Sequence, residues 1–176
     1  LQCLKMSEEN PFVDAYMAII PGVTLAKIYK KYQQILLEKN VRTFLQFKGK
    51  VNKGIRKTLR EEPDMFFSYN NGISTTASEI DVREVDGGLY ITRLYDWQIV
   101  NGGQTTASIA ASMNDRDVDL SKVFVPMKVS VIRDVDNCDS IVKAISTTAN
   151  SQTSIKNSDF SANEPYLVDL EKFSRS

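Results

Sequence analysis

The sequence contains no histidine and only two cysteines among its 176 residues. The absence of histidine excludes a histidine-based triad, a histidine metal ligand and a histidine general base within this chain. Cys3 and Cys138 lie far apart and lack the spacing of a metal site, which is typical of a protein in a reducing compartment. We therefore expect a reduced, cytoplasmic protein.

Long apolar runs are also missing. No run approaches the roughly 20 residues that a membrane-spanning helix needs, and no signal peptide is visible, so we expect no membrane partner. The apolar fraction of 42% and the charged fraction of 25% are typical of a globular protein. The chain begins at Leu1 rather than at Met, which suggests a fragment of a longer protein. We predict a lead-in segment over residues 1–14 and one domain over residues 15–176.

The apolar periodicity predicts strands and helices that are mixed along the chain. Predicted strands cover 15–20, 77–85, 89–94, 97–100 and 123–132; predicted helices cover 25–39, 55–62, 104–113, the residues after 138, and the residues after 158. The turn Asp86-Gly87-Gly88 predicts a hairpin, and the strand that follows it predicts a three-stranded meander. Phe66 and Phe67 are expected to enter a strand, and Pro126 predicts a sheet edge or a strand start. The expected fold is α/β (α+β), with a mixed, largely antiparallel sheet and packed helices.

The most informative stretch follows the predicted strand 97–100. Asn101 ends that strand, Gly102 and Gly103 form a turn, and a helix begins near Gln104. Glycines permit positive φ and a close approach of a ligand to the backbone, and a helix N-terminus favours an anion. The alternative is an ordinary strand-to-helix connection capped by threonines, because the motif is neither G-x-G-x-x-G nor a P-loop.

Two other corners of the chain are similarly rich in amides. Asn70-Asn71-Gly72 is either a tight turn or a pair of amides presented to a ligand. The polar run from Ser146 to Thr153 is either a C-terminal loop or a second wall of the same site. We predict that the three corners converge around a shared pocket. The predicted ligand-binding residues are Asn70, Asn71, Gly72, Asn101, Gly102, Gly103, Gln104, Thr105, Thr106, Asn150 and Gln152.

The net charge is zero, but basic residues are concentrated in residues 39–60, which we call the basic arm. This arm holds eight of the 22 basic residues and none of the 22 acidic ones. Such a segment attracts phosphate-bearing partners, although it could equally be a solvated helix or one that docks on the acidic remainder. The predicted nucleic-acid-binding residues are Arg42, Lys50, Lys53, Arg56, Lys57 and Arg60.

Several spaced motifs together resemble the AIPR family, named for abortive-infection phage resistance. They are Asn40-Val41-Arg42, Lys50-Val51-Asn52-Lys53-Gly54-Ile55, Phe66-Phe67-Ser68-Tyr69-Asn70-Asn71-Gly72-Ile73, Gln98-Ile99-Val100-Asn101-Gly102-Gly103-Gln104-Thr105 and Ala149-Asn150-Ser151-Gln152. The resemblance runs from about residue 15 to the C-terminus. It implies a bacterial protein of antiviral defence whose biochemical activity is poorly defined.

A more distant similarity connects Asn101-Gly-Gly-Gln-Thr with the Asp-Gly-Gln-(His/Gln)-Arg motif of DndB-like proteins. Those belong to a ParB-like group with roles linked to nucleotides or DNA, so a ParB-like arrangement is one form that the fold could take. Here Asn101 stands where that group has Asp, an extra glycine follows, and no Arg closes the motif.

Three classes of function remain open from the sequence. The first is a defence domain that binds DNA, RNA or a nucleotide through the polar corners and the basic arm. The second is an enzyme, either a ParB-like NTPase or a domain associated with a nuclease, although no carboxylate lies in a recognisable metal motif. The third is a structural or protein-interaction domain whose amide clusters stitch loops together. Catalytic residues, cofactor and oligomeric state are not specified by the sequence.

Overall fold

All seven strands of the described chain join one sheet. The computed structural model describes residues 1–6, 10–37 and 50–151. The strands are β1 (Gln2–Lys5), β2 (Val13–Pro21), β3 (Ile73–Ala77), β4 (Glu79–Val85), β5 (Gly88–Tyr95), β6 (Gln98–Asn101) and β7 (Phe124–Ile132). The helices are α1 (Gly22–Tyr32), α2 (Lys50–Glu61), α3 (Phe66–Tyr69), α4 (Gly103–Ala111) and α5 (Cys138–Ser151).

The order of strands across the sheet is β4-β5-β1-β2-β7-β3-β6. Each neighbouring pair is antiparallel except β3 and β7, which run parallel. The structure therefore confirms the predicted mixed, largely antiparallel sheet with packed helices. No helix among the described residues is long and apolar enough to cross a membrane.

One face of the sheet forms the hydrophobic core. The central strands β2 and β7 pair over nine residues, and alternate residues such as Tyr16, Ala18, Met127 and Val129 are buried on this face. Helices α1, α2 and α4 cover it, because their apolar residues belong to the same core. These helical residues are Leu25, Ala26, Leu59, Ile109 and Ala110. Burying a Leu or Ile side chain of this kind contributes about 1.5–3 kcal/mol.

The opposite face is more polar and is covered only in part by the described chain. Met17, Lys128 and Ser130 alternate with the buried residues of β2 and β7, so their side chains project to this face. Helix α5 packs on β6, at one edge of this face. We refer to this side as the open face.

The predicted lead-in over residues 1–14 is corrected in its described part. Gln2–Lys5 form β1, which lies between β5 and β2 in the interior of the sheet, and β2 begins at Val13. Only Cys3 is buried in this four-residue strand, so its sequence carries too short a pattern to reveal the strand.

The turn predicted at Asp86-Gly87 is confirmed, but the three-stranded meander is wrong. Asp86 and Gly87 both have positive φ, and β4 and β5 pair as a hairpin. Asp96 also has a positive φ of 48°, which redirects the chain after β5. As a result β6 does not extend the hairpin; it pairs with β3 at the far edge of the sheet.

Pro126 does not mark a sheet edge, because β7 lies between β2 and β3. The pairing of β3 with β7 begins opposite Met127, so Pro126 has a strand partner on the β2 side only. At that one residue the central strand resembles an edge strand, where proline is tolerated.

Three further element predictions need correction. Phe66 and Phe67 lie in the short helix α3 instead of a strand. Helix α2 begins at Lys50, five residues before the predicted start, despite Gly54 in its interior. The polar run that begins at Ser146 does not form a loop at once, since α5 continues to Ser151. The helix predicted after residue 158 lies outside the described residues.

Candidate functional site

Two of the three predicted corners meet through their glycines. Gly72 and Gly102 have φ values of 77° and 85°. A Cβ built on Gly102 would lie 2.7 Å from the carbonyl oxygen of Gly72 and 2.6 Å from Cγ2 of Ile73. The positive φ and the missing side chain therefore allow one turn to pack on the other.

Polar side chains then lock these two turns together. The Oδ1 atom of Asn70 accepts a hydrogen bond from the backbone N–H of Gly72 at 2.9 Å, and its Nδ2 atom donates to Oγ1 of Thr105 at 3.3 Å. Thr106 is fully buried, and its hydroxyl donates to the carbonyl oxygen of Gly102 at 3.1 Å. Asn70, Thr105 and Thr106 therefore hold the turns in shape.

A cleft of about 660 Å³ opens beside these turns on the open face. Strands β3, β6 and β7 form its floor, and α5 forms a wall through Ala144, Ile145 and Ala149. We call it the polar cleft. Its polar lining consists of Asn71, Ser74, Asn101, Lys128, Ser130 and Thr148.

Asn101 fixes the helix that forms this wall. Its Nδ2 atom donates a hydrogen bond to the carbonyl oxygen of Ala149, near the C-terminal end of α5. The hydroxyl of Ser146 donates to the carbonyl oxygen of Val100 at 3.4 Å. The described part of the predicted third corner therefore reaches the polar cleft, through Thr148 and Ala149. Nothing is described of the Asn150 side chain, and Gln152 lies outside the described residues.

The structure divides the predicted ligand-binding residues into two groups. Asn71, Gly72 and Asn101 line the polar cleft. The others described here, Asn70 and the run from Gly102 to Thr106, do not line it. Gly103, Thr105 and Thr106 are buried, whereas Gln104 is half-buried on α4. The helix N-terminus predicted to face an anion is therefore mainly enclosed by protein.

Ser74, Ser130 and Thr148 line this cleft without being among the predicted ligand-binding residues, and so does the charged residue Lys128. Lys128 is exposed, and its ammonium group has no ion-pair or hydrogen-bond partner within the described residues. No described residue that lines the cleft is acidic. The alternation in β7 does indicate that Lys128 and Ser130 share a polar face, but nothing local indicates that Asn71 and Asn101 lie beside them.

Helix α2 carries the described part of the basic arm. Arg60 binds Asp115 through Nη2 at 2.7 Å, and this hydrogen bond holds the pKa of Asp115 below its usual value. Lys57 forms an exposed ion pair with Glu61, with 3.6 Å between Nζ and Oε2. Lys53 and Arg56 are exposed and have no ion-pair partner in the described part of the chain. Arg42 lies outside the described residues, and nothing is described of the Lys50 side chain.

Helix α2 and the polar cleft lie on opposite faces of the sheet. Helix α2 packs on α4, and its Leu59 belongs to the hydrophobic core. The cleft is lined by Lys128 and Ser130, which alternate with the core residues Met127 and Val129 along β7. A single phosphate group therefore cannot contact α2 and the cleft together.

A second cavity lies on the core face and is mostly apolar. It has a volume of about 700 Å³ and is lined chiefly by α1 and β5, with Ile28, Tyr32 and Ile91 among its residues. None of the predicted binding residues lines it. The described residues contain no group of three or more His, Cys, Asp or Glu side chains that could hold a metal ion.

Comparison with known proteins identifies one family. The family described as "AIPR protein" matches residues 37–176. No curated protein and no solved structure matches the chain. The similarity to ParB-like proteins therefore stays a prediction. The family match covers most of the sequence, including every residue of the polar cleft, and the chain belongs to the AIPR family.

Proposed function

We propose that this AIPR-family domain serves phage defence by binding a phosphate-bearing ligand, a nucleotide or nucleic acid, in the polar cleft. The observation that carries the proposal is that, among the described residues, the ammonium group of Lys128 has no partner and the lining of its cleft has no acidic side chain. A cation in such a cleft attracts an anion, because no carboxylate of the described lining residues competes for it.

The neighbours of Lys128 supply the hydrogen bonds that a phosphate requires. Lys128 pairs with Ser74 in the parallel ladder, and Ser74 pairs with Asn101. Paired residues direct their side chains to the same face, so a cation, a hydroxyl and an amide lie in one row. Asn71 is exposed at the rim of the cleft. Phosphate oxygens accept hydrogen bonds from all these groups, and those from charged donors are the strongest.

The size of the cleft fits this class of ligand. Pockets for small molecules and cofactors commonly enclose about 300–1,000 Å³. The cleft of about 660 Å³ lies within that range. A nucleotide or one end of a nucleic-acid strand would fill it, whereas the backbone of a long duplex would need a wider surface.

Calorimetry with Lys128→Met tests the proposal. The chain should bind adenosine 5′-monophosphate, and the variant should bind it at least about tenfold more weakly, since a hydrogen bond to a charged group contributes about 1.5–3 kcal/mol. Lys27→Met on α1 is the matched control, because it removes an exposed lysine, also without an ion-pair partner among the described residues, from the core face of the sheet. Equal affinity in parent and Lys128→Met would refute the proposal.

The same samples address the two alternative classes of function. Release of phosphate from a nucleoside triphosphate would support the enzyme hypothesis. Failure of the parent chain to bind any mononucleotide or oligonucleotide would favour a structural or protein-interaction domain.

A second candidate function is nucleic-acid binding on α2. Lys53 and Arg56 support it, because both are exposed on one helix and have no ion-pair partner in the described chain. Such contacts would position a phosphate backbone without reading its sequence. This binding would be independent of the polar cleft, which lies on the other face of the sheet.

A further inference from the structure

We infer that the phosphate bound in the polar cleft belongs to a ligand that also carries a nucleobase, and that the base lies on an apolar surface beside Lys128. This inference rests on the proposed function. The surface, which we call the sheet platform, consists of Ile19, Pro21, Phe124 and Pro126.

The sheet platform is built from two residue pairs of the central strands. Ile19 pairs with Pro126, and Pro21 pairs with Phe124. These residues alternate with the buried residues Ile20 and Val125, so they project to the open face. Ile19 is 48% exposed and Phe124 is 44% exposed. Large apolar side chains that stay this exposed side by side commonly mark a binding surface.

The platform and the polar cleft are continuous. A Cβ built on Gly72, which lines the cleft, would lie 2.9 Å from Cβ of Pro126. Lys128 follows Pro126 by two residues in β7, which corresponds to about 7 Å along the strand. Phe124 lies about 13 Å from Lys128 by the same measure. One small ligand can therefore contact both surfaces.

Lys128 stands at a boundary between apolar and polar halves of the open face. In the row that crosses the sheet at Lys128, Met17 and Leu4 follow on one side, and Ser74 and Asn101 follow on the other. This apolar half continues into the sheet platform, because Met17 precedes Ile19 by two residues in β2 and both project to the open face. A ligand that fits these surfaces has an anionic group and an apolar body next to it. The exposed ring of Phe124 favours a planar aromatic body, because bases stack on aromatic side chains.

Three ligands of the whole chain separate the contributions of phosphate, base and general apolar contact. Calorimetry compares adenosine 5′-monophosphate, ribose 5-phosphate and hexyl phosphate. We expect the nucleotide to bind at least about tenfold more tightly than either of the other two. Ribose 5-phosphate that binds as tightly as the nucleotide would overturn the inference and leave the proposed function intact. Hexyl phosphate that binds as tightly would overturn it in favour of unspecific apolar contact, and no binding of any phosphate would refute the proposed function itself.

Phe124→Leu tests the platform directly, because it keeps an apolar side chain and removes the ring. It should weaken nucleotide binding several-fold and leave ribose 5-phosphate binding unchanged. Phe12→Leu is the matched control, because Phe12 is a comparably exposed phenylalanine. It lies at the other end of the β2–β7 pair, where its carbonyl oxygen accepts a hydrogen bond from the backbone N–H of Arg133. Equal nucleotide affinity in parent and Phe124→Leu would contradict the inference.

Ligands of different length distinguish a nucleic-acid strand from a free nucleotide as the source of the base. A single-stranded oligonucleotide that binds more tightly than the mononucleotide, and that also loses affinity in Phe124→Leu, supports the inference with a nucleic-acid strand as ligand. Tighter binding of the mononucleotide supports it with a free nucleotide as ligand. Binding of the oligonucleotide that Phe124→Leu and Lys128→Met both leave unchanged would overturn it and place the strand elsewhere on the protein.

Discussion

Asn70 and Thr105 are 35 residues apart in the sequence, and the hydrogen bond between them joins two turns. The amide Nδ2 of Asn70 donates to Oγ1 of Thr105 at 3.3 Å, and the Oδ1 atom of Asn70 accepts from the backbone N–H of Gly72. Asn71, the next residue, is exposed and lines the polar cleft. Two adjacent and chemically identical side chains therefore have different roles, one in structure and one at the candidate site.

This difference predicts opposite outcomes for two alanine variants. Asn70→Ala should lower the free energy of unfolding by about 1–3 kcal/mol, because it leaves a buried N–H without its acceptor. Asn71→Ala should change it by less than about 0.5 kcal/mol, as expected for a surface residue, and should weaken nucleotide binding. Urea denaturation and calorimetry measure the two effects. Equal stability of the two variants would contradict the assignment of Asn70 to structure.

Gly102 should tolerate no side chain. Gly102→Ala combines a positive φ with a Cβ 2.6 Å from Cγ2 of Ile73, so we expect a loss of about 2 kcal/mol or more in the free energy of unfolding. Gly54→Ala is the control, because a Cβ there meets nothing within 4 Å and Gly54 lies within α2. That variant should gain about 0.5–1 kcal/mol from the higher helix propensity of alanine. A stable Gly102→Ala variant would show that the two turns can separate without cost.

Ionisation of Tyr29 should lower the free energy of unfolding at alkaline pH. Burial raises the pKa of Tyr29, so the folded state favours the neutral phenol. Its contribution to stability is complete below the unfolded pKa of about 10 and is lost as the pH rises through the higher folded pKa. In Tyr29→Phe, the free energy of unfolding should therefore decline less steeply than in the parent between about pH 9 and pH 11. Tyr69→Phe, at an exposed tyrosine, serves as control, and a slope unchanged by Tyr29→Phe would contradict the prediction.

Binding of nucleic acid to α2 should show a characteristic dependence of affinity on salt concentration. If Lys53 and Arg56 bind phosphates, the double variant to alanine should reduce the slope of log affinity against log salt by about 0.7–0.9 for each phosphate that is no longer neutralised. Lys128→Met should weaken mononucleotide binding without this change of slope for duplex DNA. Fluorescence anisotropy over a series of salt concentrations measures both. An unchanged slope in the double variant would show that Lys53 and Arg56 on α2 do not bind phosphates.

Elements with strong local signals were predicted correctly. Asp86 and Gly87 were recognised as a hairpin turn because both residue types tolerate positive φ, and the helix predicted from Gln104 begins at Gly103. The meander failed because a positive φ at Asp96 redirects the chain, and the sequence pattern does not show where β6 then pairs. The prediction of a strand at Phe66 and Phe67 was wrong because a short apolar run is compatible with a strand and with a helix.

The candidate site shows the same division. The Asn-Gly and Asn-Gly-Gly corners were found from the sequence because few residue types accept such turns. The sequence did not show which of their side chains face a cleft, since Asn70 and Asn71 differ only in their surroundings. Lys128 was missed for the same reason: one lysine in a strand becomes informative only when the amides of two other strands or loops lie beside it.

The sequence by itself determined the element types with clear local signals, the basic character of residues 39–60 and the resemblance to the AIPR family, because these depend on residue type and short-range order. Only the tertiary structure decided that β1 and β6 lie where they do, that the basic helix and the polar cleft occupy opposite faces, and that Lys128 lies next to both the amides and the sheet platform. These properties depend on which distant segments pair in the sheet. Strand pairing across long sequence separations is set by the combined burial of the whole core and not by any single segment.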